Sequence, residues 1–360
     1  MNIVFVLPQL KTGGGVRVII ELANILVKTD KVSIVLPNSD NQCSFFIDEK
    51  VQIIKVGKTA SSKIQKIKNM LKVPLYVKNN FAHDCIIVTD PIQSLLFLPF
   101  SFKKIFRYIQ ADDYRIFDDM MLLKNRLFLN IYKFLTKLSY QKEMKYFFNS
   151  TYSYEQFKKL HKKEITKEIV HPSLNHKNFY PQKRVSSEKL NIALITRKHP
   201  IKRFQDFIDA YKMLEHSSKI KIENVFIITQ DNLDGFELFD FKVIHPKDDK
   251  EIASILNKSD IFVFCSLWEG FGLPPLEAMA CGCGVITSDA KGVNEYAKDS
   301  FNCMIYPPKD ISRLKDSLES LINNHDFLNK IQKNAILTAE KFSWENSAKQ
   351  LKNILKRCDG

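Results

Sequence analysis

Trp268-Glu269-Gly270-Phe271-Gly272-Leu273-Pro274-Pro275-Leu276-Glu277-Ala278-Met279-Ala280-Cys281-Gly282 is the stretch on which the reading of this chain turns. It follows a short apolar run at 261–265 (IFVFC), and its two prolines suit the first turn of a helix over 274–281. Gly270 and Gly272 let the backbone approach a ligand closely. Free amides at the helix start favour an anion such as phosphate, or a hydroxylated sugar. Glu269 sits in the loop, and Glu277 follows in the early turns of the helix. One carboxylate can face a sugar hydroxyl while the other takes a ribose diol, because a carboxylate accepts two strong hydrogen bonds from vicinal hydroxyls. A bare pair of glutamates would fit an alternative in which Glu277 complements the helix dipole and the glycines only turn the chain. The full string favours a ligand site.

Working outward, the second half alternates strand and helix. Strands are expected at 190–196, 225–229, 261–265 and 285–287, with helices at 204–214, 250–258, 274–281, 311–323 and 326–342. The first half does the same: strands at 3–7, 31–37, 85–89 and 104–109, a helix at 16–28, and a long helical pattern at 122–160 interrupted by a strand at 146–149. Such alternation implies parallel sheets with helices on both faces. A length of 360 residues suggests two domains. Periodicity breaks at 170–187 around His171, Pro172 and Pro181, which divides the chain into a first domain at 1–172 and a second at 173–342. The fold class is therefore α/β, two doubly wound domains with a cleft between them, and ligands at the carboxyl ends of strands.

Composition narrows the class further. With 45% hydrophobic and 26% charged residues the chain is globular. Its most apolar stretch, 92–102, is broken by a proline and falls short of the about 20 residues a membrane span needs. The opening MNIVFVLPQL lacks a basic region and a cleavage site, and reads as a buried strand rather than a signal peptide. Seven cysteines with no CxxC pair suggest packed, reduced thiols in a cytosolic protein, and no metal site is expected. The net charge of +14 is concentrated in residues 1–180, where 28 Lys and Arg face 15 Asp and Glu. That asymmetry suits an anionic partner, or a solvated lysine-rich surface. The stretches 63–72 (KIQKIKNMLK) and 124–145 mix lysines with Ile, Leu, Phe and Tyr, as helices resting on anionic lipid do, although the apolar face could equally be core. No nucleic-acid-binding module is recognisable.

Three further segments carry chemistry. In Thr196-Arg197-Lys198-His199-Pro200-Ile201-Lys202, after a strand, Arg197 and Lys202 could grip a diphosphate from two sides or be ordinary surface cations. Gly13-Gly14-Gly15-Val16-Arg17 joins the first strand to the first helix. Its amides can face a phosphate or sugar, or the glycines serve only a tight turn; it is no GxGxxG. In Tyr108-Ile109-Gln110-Ala111-Asp112-Asp113-Tyr114, the polar side chains can bind acceptor or sugar hydroxyls, or cap the next helix. His171, His176 and His199 stand in no motif.

The Trp268–Gly282 string resembles the signature of retaining glycosyltransferase family four, the glycosyl transferases group 1, whose two glutamates are separated by seven residues around an EGFGLPxLEAMACG core. The resemblance continues through 287–295, Asn302 and 306–310. It ends at Phe342-Ser343-Trp344-Glu345, where the family's last helix often crosses back to the first domain; here that segment is 343–360. In the family an arginine and a lysine hold the donor pyrophosphate, and Arg197 and Lys202 match them, with Thr196 where a glycine is usual. The resemblance implies a GT-B fold and a metal-independent transferase without a resident cofactor. It assigns catalysis to Glu269, Arg197 and Lys202. It assigns donor contacts to the same three and to Gly14, Gly15, Gly270, Phe271, Gly272, Leu273 and Glu277, and weaker acceptor or sugar contacts to Gln110, Asp112 and Asp113, where many members place a histidine. The YxQD-type stretch is similar to that of some rhamnosyltransferases. The implied partners are a nucleotide-diphosphate sugar, a glycan or lipid-linked acceptor and anionic lipid of the inner leaflet, with no nucleic acid. A cytoplasmic protein, peripheral on the inner face of the plasma membrane, is expected. The rival readings are a nucleotide-sugar epimerase on the same plan and a non-catalytic basic protein binding lipid or nucleic acid.

Overall fold

Apolar runs without polar alternation become strands buried on both faces, the habit of parallel sheets. In this computed structural model, which describes residues 1–11, 13–39, 43–115, 126–141, 144–161, 163–184 and 187–357, they do so twice. The chain forms two compact units, Met1–Pro172 with Trp344–Gly360, and Ser173–Ser343. The first unit holds β1 (Asn2–Val6), β2 (Lys31–Pro37), β3 (Gln52–Val56), β4 (Cys85–Val88), β5 (Ile105–Ile109) and β6 (Lys145–Phe148). They form one parallel sheet in the order β3-β2-β1-β4-β5-β6. Its helices are α1 (Gly14–Leu26), α2 (Lys63–Phe81), α3 (Pro91–Leu96), α4 (Arg126–Ser139) and α5 (Thr151–Leu160).

The second unit repeats the plan. Strands β7 (Leu190–Ile195), β8 (Ile222–Ile228), β9 (Lys242–Ile244), β10 (Ile261–Phe264), β11 (Gly284–Ser288) and β12 (Met304–Tyr306) run parallel in the order β12-β11-β10-β7-β8-β9. Helices α6 (Phe204–Met213), α7 (His216–Lys219), α8 (Asp249–Asn257), α9 (Leu273–Ala280), α10 (Ile311–Asn323) and α11 (His325–Ala339) connect them. The last helix, α12 (Trp344–Arg357), belongs to the first unit. There Trp344, Leu351, Ile354 and Leu355 share one buried cluster with Val18, Ile19 and Leu22 of α1. Each such side chain is worth about 1.5–3 kcal/mol of transfer free energy as an upper estimate. Lys352 also pairs with Asp30 at 2.7 Å.

The alternation expected from the sequence is present in both units. Three strands were not anticipated: β3, β9 and β12. All three lie at sheet edges. Edge strands are half-solvated, so β3 carries exposed Gln52, Ile53 and Lys55 and shows no apolar run, while β9 and β12 have three residues each. Helix α3 arises inside the apolar stretch at 92–102: Pro91 opens it, and the Asp90 carboxylate caps it by accepting from the Gln93 amide at 2.9 Å. No helix among the described residues is long and apolar enough to cross a membrane. The six described cysteines are free thiols; Cys358, parts of the 122–160 helical pattern (122–125 and 142–143) and the start of the 124–145 basic stretch lie outside the described residues.

Candidate functional site

A doubly wound sheet opens a crevice where its strand order reverses, because the connections on either side run to opposite faces. In the second unit the reversal lies between β7 and β10, paired directly through Ile192 and Ile261. The loops leaving their carboxyl ends are the two segments singled out in the sequence. Leu267 N–H donates to Ile201 O at 2.8 Å and stitches them together. His199 caps a short 3-10 turn, Pro200–Lys202, which ends at Arg203 in the left-handed region (φ 49°). That turn delivers Lys202 to Glu269: Nζ donates to Oε1 at 2.5 Å, with the two side chains 28% and 20% exposed. An ammonium has three donors, so two remain for an anion. Arg197, more exposed, lies with its Nε 3.3 Å from Asp231 Oδ2, a carboxylate that also accepts from Lys198 N–H at 2.6 Å. Asp231 carried no sequence signal.

The backbone that follows is held open by glycines. Glu269 N–H donates to Ala290 O at 2.8 Å, and Gly292 N–H donates to Glu269 O at 3.2 Å. A Cβ on Gly292 would stand 2.5 Å from Glu269 O and from the Gly270 carbonyl, so only glycine allows this approach. Gly272 caps α9 at φ +84°, where a Cβ would meet Val293 Cγ1 at 2.7 Å, and Tyr296 Oη donates to its carbonyl. Phe271 is buried against the rings of Tyr296 and Phe342, at 5.4 and 5.9 Å between centroids. Leu273 opens α9, and Glu277 is 3% exposed in its second turn. Two hydroxyls at the ends of β7 and β10, Thr196 Oγ1 and Ser266 Oγ, are buried without a hydrogen-bond partner among the described residues. A buried hydroxyl in that condition costs stability unless something else satisfies it.

In the first unit the reversal lies between β1 and β4. Gly13 is extended, α1 begins at Gly14, and nothing among the described residues comes within 4 Å of a Cβ placed on either. A Cβ on Gly15 would touch the Gln110 side chain at 3.6 Å, so the glycine loop and the polar stretch after β5 are neighbours. Gln110 Oε1 is buried with no partner among the described residues. The two aspartates are engaged. Asp112 Oδ1 accepts from Arg115 N–H at 3.0 Å. Asp113 Oδ2 accepts from Arg107 Nη2 at 2.8 Å. Arg107 is fully buried, donates through Nη1 to Ser139 Oγ at 2.7 Å, and lies 4.9 Å from the Tyr140 ring centre. The sequence reading passed over it; a charged residue inside the apolar strand IFRYI was the available signal.

Burial pushes the Asp113 carboxyl up to about 6, against the pull of Arg107 and with the repulsion of Asp90 and Asp112. Burial raises Asp90 and Asp112 as well. A carboxyl with a raised native pKa holds its proton more tightly folded than unfolded, so its contribution is greatest in acid and declines as pH rises from about 4 to about 6. Urea unfolding across that window should show this decline, and Asp113→Asn should flatten it. An unchanged slope would remove Asp113 from the account.

Among the described residues no group of three or more His, Cys, Asp and Glu side chains could hold a metal ion. Residues 176–338 match the family model described as Glycosyl transferases group 1. A relative, the serotype-specific mannosyltransferase WbdA of Escherichia coli, is 33% identical over 100 residues, which is 28% of this chain and only 12% of that protein. Among solved structures, sucrose-phosphate synthase from Thermosynechococcus elongatus matches 99% of this chain and 98% of its own, at 14% identity and a TM-score of 0.79. HepE of Anabaena, solved with UDP-glucose, matches 99% of this chain and all of its own, at 15% identity and a TM-score of 0.73. These structural likenesses show the fold, the two parallel-sheet α/β domains of the GT-B plan.

Proposed function

We propose, from a second unit that belongs to the glycosyl transferases group 1 family, that this chain is a retaining, metal-independent glycosyltransferase. It takes a nucleotide-diphosphate sugar as donor and a glycan or lipid-linked acceptor, in the synthesis of a bacterial surface polysaccharide such as capsule, O-antigen or lipooligosaccharide. It works in the cytoplasm, at the inner face of the membrane. The observation that carries the reading is the meeting of Lys202 and Glu269, from two separate loops, at the strand-order reversal of the second unit. The unpartnered Thr196 and Ser266 hydroxyls beside it support a polar ligand there.

In this reading the diphosphate takes the two free donors of Lys202 and the guanidinium of Arg197, and the first-turn amides of α9 add their dipole. Glu269 and the amides of Gly270, Phe271, Gly272 and Leu273 orient the sugar, and Glu277 accepts from the ribose diol. Charge develops on the departing phosphate, and cations already fixed in place stabilise it without reorganising. A phosphate oxygen then helps to remove the acceptor proton. In the first unit Gly14 and Gly15 offer α1 amides to the donor, and Gln110, whose amide oxygen has no partner among the described residues, is the leading contact for sugar or acceptor. Asp112 and Asp113 are assigned to the same stretch, acting through its shape, since each is already bonded within the protein.

Thermal unfolding of the wild type and of Glu277→Ala against nucleoside diphosphates and mannose, glucose and rhamnose nucleotides tests the donor site. A ligand at about 100 times its Kd adds roughly 2.7 kcal/mol, a shift of several degrees. One base should stand out, and Glu277→Ala should lose the response. No shift with any nucleotide, with acceptor present, would sink the reading. Conversion of donor without acceptor into an isomer would favour an epimerase instead.

A further inference from the structure

The sequence left open whether its two basic stretches bury their apolar residues or display them, and the structure does both. Helix α2 buries Asn69, Val73 and Val77 against the sheet. Its Ile64, Ile67, Leu71 and Leu75 are 67%, 55%, 55% and 51% exposed. Their spacing of three, four and four residues is one helical stripe, and at about 100° per residue it lies opposite the buried one. Helix α4 repeats the arrangement: Leu129 and Thr136 are buried, while Ile131, Phe134 and Leu138 form the outward stripe at 49%, 65% and 40% exposure. Helix α3 packs against both, so the three make one layer on one face of the sheet. Neither α2 nor α4 contains a single Asp or Glu, whereas α2 carries five lysines and α4 an arginine and two lysines.

We propose that this layer is a docking face for an anionic lipid bilayer. Single exposed aliphatic side chains need no explanation, but two outward stripes on helices that flank the same short helix do. Apolar residues flanked by lysines, with no carboxylate, match an interface whose headgroups are negative and whose interior accepts Ile, Leu and Phe. Nucleic acid would satisfy the lysines and leave the stripes in water. The face deepens the sugar-transfer reading by naming a second partner for the same protein, one that would hold it where a lipid-linked acceptor lies.

The test is co-sedimentation of the full chain with vesicles of phosphatidylcholine alone, or with phosphatidylglycerol added. Binding is expected only with phosphatidylglycerol and should weaken with salt. The triple variant Ile67→Ser, Leu71→Ser, Phe134→Ser keeps the charge, and should lose at least about tenfold in partitioning. Lys68→Gln with Lys72→Gln should lose severalfold at low salt. All five positions are on the surface, and an unchanged thermal midpoint verifies that each variant is folded. No binding to phosphatidylglycerol vesicles overturns the proposal, as does a triple variant that binds like wild type. A dimer in solution that the triple variant splits would also overturn it, because a second copy would then cover the face. No donor or acceptor is present in these measurements, so failure here is separate from failure of the sugar-transfer reading.

Discussion

Lys202→Ala lowers the turnover of sugar transfer by about 100- to 1,000-fold, the usual cost of removing one preorganised group that stabilises transition-state charge. The expectation rests on its setting: partly buried, fixed at 2.5 Å on Glu269, and anchored through the Ile201–Leu267 backbone bond. Removing it also strands Glu269, which loses its counter-charge. Arg197→Ala should cost less, about tenfold, because that side chain is 56% exposed and water can replace part of its charge. Initial rates with the donor chosen by the nucleotide panel give both numbers. A Lys202→Ala enzyme turning over near the wild-type rate would remove this lysine from catalysis. Combining it with Glu269→Gln gives the coupling energy of the pair.

Arg107→Met should destabilise the protein by about 3–5 kcal/mol, the range for removing one partner of a buried ion pair. The guanidinium is fully buried and engages Asp113, Ser139 and the Tyr140 ring together. Methionine fills much of the volume but leaves Asp113 facing Asp90 and Asp112 without a cation. Since burial pushes the Asp113 carboxyl up to about 6, it holds its proton in mild acid, so the loss should shrink toward pH 5 and grow toward pH 7. Urea midpoints at the two pH values measure it. Equal midpoints for wild type and variant at pH 7 would mean the pair contributes nothing net.

What the sequence disclosed follows burial. Strand β2 and helix α10 have the bounds that their apolar patterns imply, because every position there answers to one core. Edge strands β3, β9 and β12 answer to solvent on one side and left no such pattern. The site divides in the same way. Glu269, Gly272 and Glu277 sit within one local string whose turn and helix chemistry is legible residue by residue. The Lys202–Glu269 contact spans 67 positions, and only the order of strands brings it about. Gly292, whose missing Cβ leaves room for the Glu269 carbonyl, lay inside a matched segment without its reason being visible. Asp112 and Asp113 show the limit of local reading: a carboxylate after a strand looks the same whether it waits for a ligand or holds a buried arginine.

The return of α12 to the first unit sets an order of events during synthesis. Residues 173–343 are contiguous, so the second unit can collapse once they have left the ribosome. The first unit is discontinuous: until residues 344–357 emerge, the flank of α1 bearing Val18, Ile19 and Leu22 lacks Trp344, Leu351, Ile354 and Leu355. The half of the molecule that is translated first is therefore the half that matures last. In the interval it presents a sticky apolar strip to chaperones and to neighbouring nascent chains.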